Sequence, residues 1–243
     1  MTPDLHKIAM WSGPRNLSTA MMYAFAARGD CAVVDEPFYA AYLNATGIDH
    51  PLKADVIASQ SPDPAVVAAQ CIGPIPRSQS LFYQKHMTLH MIPEFDRTFM
   101  RSLTNVFLIR HPARVVASYA KKREAPILLD IGFTQQAELF DEVAQVLGQA
   151  PLVIDSADIR ANPRESLTKL CAALGIPFTE TMLHWPAGAK PYDGIWAPHW
   201  YNAVHKSTGF EDPEGVLPDL PEEFQRLADA AMPYYQRLAA FRL

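Results

Sequence analysis

A short loop near the start of the chain carries the first residues that could do chemistry. Arg15 brings a permanent positive charge, and Ser18 and Thr19 bring two hydroxyl donors close to it. The apolar run 8–11 before the loop predicts a strand, and the alanine- and methionine-rich stretch 17–28 after it predicts a helix. Exposed backbone amides at a helix N-terminus bind phosphate or sulfate groups. The spacing therefore predicts an anion site in this loop, at the carboxyl end of a strand.

This loop differs from the Walker A motif of nucleoside triphosphatases. That motif has the pattern GxxxxGK followed by Ser or Thr, and its glycines let the backbone wrap around the phosphates. Leu17 stands where the second glycine would be, and no lysine follows it. These differences disfavour a P-loop kinase or NTPase but are compatible with a related phosphate-binding loop.

A second anion site is predicted farther along the chain. The apolar run 106–109 is typical of a central parallel strand, Arg110 ends it, and Pro112 is placed to begin a helix over 112–122. Ser118 follows Arg110 in the second turn of that helix. We expect Arg110 and Ser118 to face one anion near the edge of the sheet.

These loops need a parallel sheet to bring them together. Further strands are predicted at 31–34, 81–86 and 151–154, and the alternation of strands and helices is typical of an α/β fold, a parallel β-sheet flanked by helices. The strands 8–11 and 31–34 flank one helix and are expected to be neighbours. Ligands of such sheets bind beyond the carboxyl ends of the strands.

A single domain is predicted over residues 1–243, with irregular, proline-rich insertions near 44–79 and 185–218. The C-terminal stretch 221–241 predicts a helix that Pro233 should kink or split. The second insertion is rich in aromatic residues, so it is either a lid over a substrate or a small core of its own.

The composition limits the class of protein. The chain has 243 residues, 49% of them hydrophobic, and a formal net charge of −5. These values exclude a disordered chain and argue against binding to nucleic acid or an anionic membrane through a broad basic face. Its 3 cysteines are widely spaced and predict neither a disulfide framework nor a metal site. No signal peptide or membrane span is visible in the sequence, so we expect a cytoplasmic protein.

Taken together, the two anion motifs resemble those of the sulfotransferase family, which uses 3′-phosphoadenosine 5′-phosphosulfate (PAPS) as its sulfuryl donor. In that family a loop of the type P-[KR]-x-G-[ST]-[ST] holds the 5′-phosphosulfate, and R-x-P followed by a serine holds the 3′-phosphate. The second motif is present here as Arg110-His111-Pro112, with Ser118 at the family's spacing. The first is present, with leucine in place of the usual glycine, as Pro14-Arg15-Asn16-Leu17-Ser18-Thr19.

The resemblance implies a P-loop-like sulfotransferase architecture and a PAPS-dependent enzyme that acts on a hydroxyl or amine of a small acceptor. Arg15 would stabilise charge on the leaving phosphate. Because the donor already carries its leaving group, no metal is expected. The donor site that the resemblance implies comprises Arg15, Asn16, Leu17, Ser18, Thr19, Arg110 and Ser118.

The acceptor needs a general base, and two residues at strand ends are candidates. Glu36 follows the strand 31–34, where some sulfotransferases have a catalytic glutamate, and it is the favoured base. The alternative is His86, which ends the strand 81–86 beside Lys85. This pair resembles the Lys-x-His segment of cytosolic sulfotransferases without the intervening residue, and Lys85 is a candidate contact for the sulfuryl group. Because side chains alternate along a strand, the missing residue turns either Lys85 or His86 away.

Two other functions stay open from the sequence. One is a P-loop-like phosphotransferase or kinase, which magnesium-dependent turnover of ATP would indicate. The other is a nucleotide-binding protein without catalysis, for which the leucine at position 17 is the argument. Binding of the donor without transfer to any acceptor would indicate this second alternative.

Overall fold

The computed structural model of the protein describes residues 6–121 and 125–243. Within them, one sheet is formed by the strands β1 (His6–Ser12), β2 (Cys31–Asp35), β3 (Leu81–Met87), β4 (Thr104–Ile109) and β5 (Leu152–Asp155). The five strands are parallel, and their order across the sheet is β2-β3-β1-β4-β5. The α/β fold with a parallel sheet flanked by helices is confirmed.

Helices cover both faces of the sheet. The α-helices are α1 (Ser18–Ala26), α2 (Tyr39–Thr46), α3 (Lys53–Ser59), α4 (Pro64–Ile72), α5 (Pro112–Tyr119), α6 (Phe133–Leu147), α7 (Ser156–Ala161), α8 (Pro163–Ala173), α9 (Ala197–Trp200) and α10 (Glu222–Ala239). Short 3₁₀ helices lie at Pro76–Ser78, Thr88–His90, Thr98–Ser102, Glu180–Leu183 and Val204–Lys206. None of the helices in the described ranges is both long and apolar enough to cross a membrane.

β3 lies between β1 and β2, so the expectation that the first two strands are neighbours is wrong. Tyr83 of β3 is in register with Ile8 of β1 on one side and with Val33 of β2 on the other. A crossover connection between parallel strands can pass over an intervening strand, so the local pattern does not determine which strands pair. Because all the strands are parallel, their carboxyl ends still meet at one edge.

Consecutive side chains of β1 are buried on opposite faces of the sheet. Ile8 and Met10 pack with α1 and α8, whereas Ala9 and Trp11 pack with α4, α6 and α10. All four side chains are fully buried, as is typical of a parallel sheet covered on both faces. The sheet, covered on both faces, fixes the positions of the loops at its carboxyl edge.

Three details of the helices differ from the expectations. Pro233 lies inside α10, which runs as one helix from Glu222 to Ala239, so of the expected kink or split the split does not occur. The helix after β4 ends at Tyr119, whereas Lys122, its expected end, lies outside the described residues. The amphipathic helix α6, bounded by Gly132 and Gly148, was not expected.

Candidate functional site

A cavity of about 240 Å³ opens at the carboxyl ends of β1, β2, β3 and β4. Its walls come from the loop after β1, the ends of β2 and β3, and the segment that follows α9. Of the site residues predicted from the sequence, the cavity brings together Arg15, Asn16, Leu17, Ser18, Thr19, Glu36, Lys85 and Arg110.

The loop after β1 adopts a backbone conformation that favours glycine. Leu17 stands where the motif of the sulfotransferase family has glycine, and it has a φ of 69°. Arg15, two residues earlier, has a φ of 64°. Such a left-handed conformation costs a non-glycine residue about 1–2 kcal/mol. The loop therefore keeps a glycine-like shape despite the leucine, and α1 begins directly after it at Ser18.

Contacts with β4 and with the turn before α6 hold this loop in place. Asn16 is buried, and its Nδ2 donates a hydrogen bond to the carbonyl oxygen of Leu108 over 3.1 Å. Gly13 packs so closely that a Cβ there would lie 3.1 Å from the carbonyl oxygen of Ile131. Asn16 therefore connects the loop to the sheet as well as lining the cavity.

Arg15, Arg110 and Ser118 form one hydrogen-bonded group, which we name the cationic end of the cavity. Arg110 donates from Nη1 to the carbonyl oxygen of Arg15 over 2.7 Å, and Arg15 donates from Nε to Oγ of Ser118 over 3.0 Å. Burial lowers the pKa of Arg15, and the like charge of Arg110 lowers this pKa further. An anion bound between the two guanidinium groups would offset both effects.

A second polar group lies at the carboxyl ends of β2 and β3 and comprises Asp35, Glu36, Lys85 and Tyr201; we name it the carboxylate end. Nζ of Lys85 donates to Asp35 Oδ1 over 2.8 Å, to Glu36 Oε1 over 2.5 Å and to the hydroxyl of Tyr201 over 2.7 Å. An ammonium group has three donors, so these three contacts use all of them. Lys85 is therefore held as the common partner of two carboxylates.

Glu36 presents a buried carboxylate to the cavity. Burial raises the pKa of its carboxyl group, Lys85 opposes this rise, and the negative charge of Asp35 adds to it. Oε1 accepts the hydrogen bond from Lys85, whereas Oε2 lies 3.9 Å from Nδ1 of His90. A carboxylate with a raised pKa, and with one oxygen not used by Lys85, is suited to accept a proton.

No sequence motif points to Tyr201, which completes the carboxylate end from a distant part of the chain. Its hydroxyl donates to Asp35 Oδ2 over 2.7 Å and accepts from Nε1 of Trp196 over 3.1 Å. The backbone amide of Gly194 donates to the same carboxylate oxygen over 3.0 Å. The only signal in the sequence is the density of aromatic residues in this segment.

His86 does not line the cavity. Its ring stacks on Trp11 with centroids 4.3 Å apart, and its Nε2 lies 3.1 Å from Oε1 of Gln84. Burial lowers the pKa of His86 to about 3. Alternation along β3 turns Lys85 toward the cavity and His86 away from it, as expected of a pair without an intervening residue.

His90 is a cavity residue that no sequence pattern identifies. Its ring stacks on Tyr39 and Tyr42, with centroid distances of 4.4 and 5.0 Å. Burial lowers the pKa of His90 well below its usual value, so the imidazole is neutral at physiological pH. A neutral imidazole beside Glu36 adds a polar group to the wall without adding charge.

The aromatic-rich insertion is both a wall of the cavity and a small core. Trp200, Tyr201 and Phe210 line the cavity. Trp196 is buried in a cluster with α2 and α3, and Trp185 packs in the cluster under α1. The segment therefore forms a small core, one of the two alternatives expected for it, and a lid over a substrate stays a prediction.

The described residues contain no group of three or more His, Cys, Asp or Glu side chains that could hold a metal ion. The three cysteines are buried and free, at positions remote from the cavity walls: Cys31, Cys71 and Cys171.

The model of a protein family described as "Sulfotransferase domain" matches residues 6–242. The chain belongs to the sulfotransferase domain family. The match spans both ends of the cavity, so the resemblance carried by the two anion motifs extends over nearly the whole chain.

Two curated relatives of this sulfotransferase domain come from Arabidopsis thaliana. They are branched-chain-amino-acid aminotransferase-like proteins 1 and 2, which are 36% and 34% identical to the chain over 231 residues. The alignment covers 95% of this chain but 41% of each relative. The chain thus spans less than half the length of these relatives.

Two solved structures are similar to the domain at 18% sequence identity and a TM-score of 0.49. One is the sulfotransferase domain of the Synechococcus PCC 7002 olefin synthase, where the match covers 95% of this chain and 97% of the other. The second is the sulfotransferase domain of the curacin biosynthetic pathway, with 94% and 98% covered.

Proposed function

We propose that this domain transfers a sulfuryl group from PAPS to a hydroxyl or amine of a small acceptor. One observation carries the proposal: a single cavity is lined by both a pair of arginines before helix N-termini and the buried carboxylate of Glu36. The first arrangement suits an anionic donor, and the second suits removal of a proton from an acceptor. Membership of the sulfotransferase domain family supports the same activity.

The donor would bind at the cationic end. The amides at the start of α1, the hydroxyls of Ser18 and Thr19 and the guanidinium of Arg15 suit the 5′-phosphosulfate. Arg110 would hold the 3′-phosphate, and its contact with the Arg15 carbonyl would couple the two phosphate sites. Ser118 would act by orienting Arg15, to which it is hydrogen-bonded. Asn16 and Leu17 would maintain the shape of the loop.

The reaction is an in-line displacement at sulfur. The bond from sulfur to the bridging phosphate oxygen breaks, and a bond from sulfur to the acceptor oxygen or nitrogen forms. The electron pair of the broken bond stays on the leaving phosphate, where Arg15 stabilises the charge. The carboxylate of Glu36 takes the proton that the acceptor loses. The sulfuryl group itself moves unchanged from the phosphate to the acceptor.

Lys85 would act on Glu36. Its three donors already have partners, so it fixes the orientation of the Glu36 carboxylate and keeps a positive charge beside it. This role replaces the direct contact with the sulfuryl group that the sequence suggested for Lys85. His86 would not take part, because its buried ring stacks on Trp11.

Nucleotide binding tests the proposal most directly. Calorimetric titration should give tight binding of 3′-phosphoadenosine 5′-phosphate (PAP), the product of the donor, and weaker binding of AMP and ATP. Replacement of Arg110 by alanine should weaken PAP about tenfold or more, because a charge-assisted contact contributes roughly 1.5–3 kcal/mol. AMP binding should change little, since AMP has no 3′-phosphate.

The matched control is Arg101→Ala, which removes an exposed arginine from a 3₁₀ helix that does not line the cavity. Equal losses for PAP and AMP in Arg110→Ala would contradict the 3′-phosphate assignment. Magnesium-dependent turnover of ATP would indicate a phosphotransferase, and PAP binding without transfer from PAPS to a panel of alcohols, phenols and amines would indicate a binding protein.

A further inference from the structure

Three arginines surround one carboxylate of the chain itself beside the cationic end. The side chain of Glu214 is only 3% exposed. Its Oε1 forms ion pairs with Arg110 Nη2 and, over 3.4 Å, with Arg160 Nη1. Its Oε2 lies 2.9 Å from Nε of Arg114. The arginine proposed to hold the 3′-phosphate therefore already has an anionic partner.

The same arginines bind the backbone around Glu214, in the segment 211–217. Arg114 donates to the carbonyl oxygens of Glu214 and Gly215, and Arg160 donates from Nε to that of Asp212 over 2.8 Å. The segment contains neither helix nor strand. Its apolar side chains do not support it, since Val216 is 92% exposed. Polar contacts with Arg110, Arg114 and Arg160 are thus its main link to the domain.

The positive charge at this site exceeds what one carboxylate can balance. Three guanidinium groups and Arg15 carry four positive charges against the buried Glu214 and the exposed Glu211, which lies 3.4 Å from Arg160 Nη1. Within the described residues, the buried Nε of Arg110 has no hydrogen-bond acceptor. A phosphate monoester brings about two negative charges and three acceptor oxygens, so it matches these donors better than a carboxylate does.

We infer that Glu214 is an internal competitor for the 3′-phosphate of the donor, and that the segment 211–217 leaves Arg110 when a phosphate monoester binds there. The inference rests on the proposed function for the identity of the ligand. It adds Arg114 and Arg160 to the anion site and assigns a role to a segment that no motif marks.

Both anions cannot share Arg110. Nη1 is bonded to the carbonyl oxygen of Arg15 and Nη2 to Glu214, so a phosphate in contact with this guanidinium would lie against the carboxylate. Two like charges in contact at a buried site repel each other strongly. Departure of Glu214 removes that repulsion and frees the facing donors of Arg114 and Arg160 for the phosphate.

The competition predicts a measurable loss of apparent affinity in the unmodified domain. Apparent affinity falls in proportion to the fraction of molecules whose site is open. Glu214→Gln removes the charge and keeps the size of the side chain, so it should raise the affinity for PAP about tenfold or more. AMP, which lacks the 3′-phosphate, should bind both proteins equally.

Asp219→Asn is the matched control, because it removes the same charge from an exposed position farther along the same irregular stretch. Calorimetry of the three proteins with PAP and AMP gives the comparison. Unchanged or weaker PAP binding in Glu214→Gln overturns the inference, as does an equal gain in Asp219→Asn.

Limited proteolysis of the unmodified domain with a glutamate-specific protease tests the movement itself and does not depend on the variant. Saturating PAP, or inorganic phosphate as a simpler probe, should accelerate cleavage after Glu214. Slower or unchanged cleavage there overturns the inference. If phosphate accelerates cleavage while PAP binds no better than AMP, the proposed function fails and the competition between Glu214 and a phosphate stands.

Discussion

The two ends of the cavity differ in how their charged side chains are arranged. At the carboxylate end, Lys85 lies between Asp35 and Glu36 and satisfies both with its own donors. At the cationic end, Arg15 and Arg110 are in contact through a backbone carbonyl, and their like charges add. The first group is stabilised within the fold, whereas the second needs an anion from outside or from Glu214. The carboxylate end therefore pairs opposite charges within the group, whereas the cationic end brings like charges together.

Removal of Glu36, the proposed base, should have the largest effect. Glu36→Gln keeps the shape of the side chain and leaves Asp35 as a partner for Lys85, so the domain should fold and bind PAP normally. Sulfuryl transfer should fall by about 10²–10⁴-fold, the usual contribution of a positioned base. Single-turnover transfer from PAPS, beside a PAP titration, measures the two quantities separately.

His86→Asn is the contrast for this variant, and it should retain most of the transfer activity because His86 lies outside the cavity. Loss of transfer in His86→Asn, with activity preserved in Glu36→Gln, would show that the base is His86 and not Glu36.

A pH profile of transfer gives a further check on Glu36. The pKa of Glu36 is raised above 4.5, so transfer should fall as the pH drops through that raised value and the base becomes protonated.

Removal of the shared cation should have the next largest effect, and it concerns stability. Lys85→Met leaves two buried carboxylates facing each other, and breaking a buried ion pair in this way costs about 3–5 kcal/mol. Urea unfolding at neutral pH measures the loss. The loss of stability should be smaller at acid pH. Without Lys85 the pKa of Glu36 in the folded state is raised further, so Glu36 takes up a proton there and no longer carries an unpaired charge.

The exposed pair of Lys169 and Glu165 provides the control for this measurement. Lys169→Met breaks an ion pair of similar length at the surface, and it should change the free energy of unfolding little, because solvent screens exposed charges. A similar loss in the two variants would show that burial of Lys85 does not determine its contribution.

The smallest expected effect concerns the loop of the cationic end. Leu17→Gly and Leu17→Ala both remove the leucine side chain, but only glycine relieves the left-handed backbone at this position. The glycine variant should be more stable than the alanine variant by about 1 kcal/mol. Thermal unfolding of the pair measures the difference, and an alanine variant of equal or greater stability would contradict it.

Much of the cationic end is predictable because its parts are local in sequence. A strand, a loop with Arg15 and a helix follow one another without a break, and so do Arg110 and α5. The anion-binding amides belong to the backbone of the helix itself, so a correct assignment of the helix also locates the site. What these patterns did not reveal is that Ser118 is hydrogen-bonded to Arg15 and that Glu214 pairs with Arg110.

The carboxylate end is harder to predict because its members come from distant parts of the chain. Lys85 and Tyr201 are separated by 116 positions, and no periodicity relates them. The position of β3 between β1 and β2 brings Lys85 into register with Asp35. That strand order depends on long-range pairing, for which the local patterns carry no signal.

The sequence by itself determined the five strands, the helices that follow the two anion motifs, those motifs and the presence of Glu36 at a strand end, since each depends on neighbours along the chain. The tertiary structure decided which strands pair, that Lys85 and not His86 faces the cavity, and that Tyr201 and Glu214 complete its two ends. The physical reason is that side-chain direction along a strand is set once its partners are chosen. That choice depends on how the whole core packs.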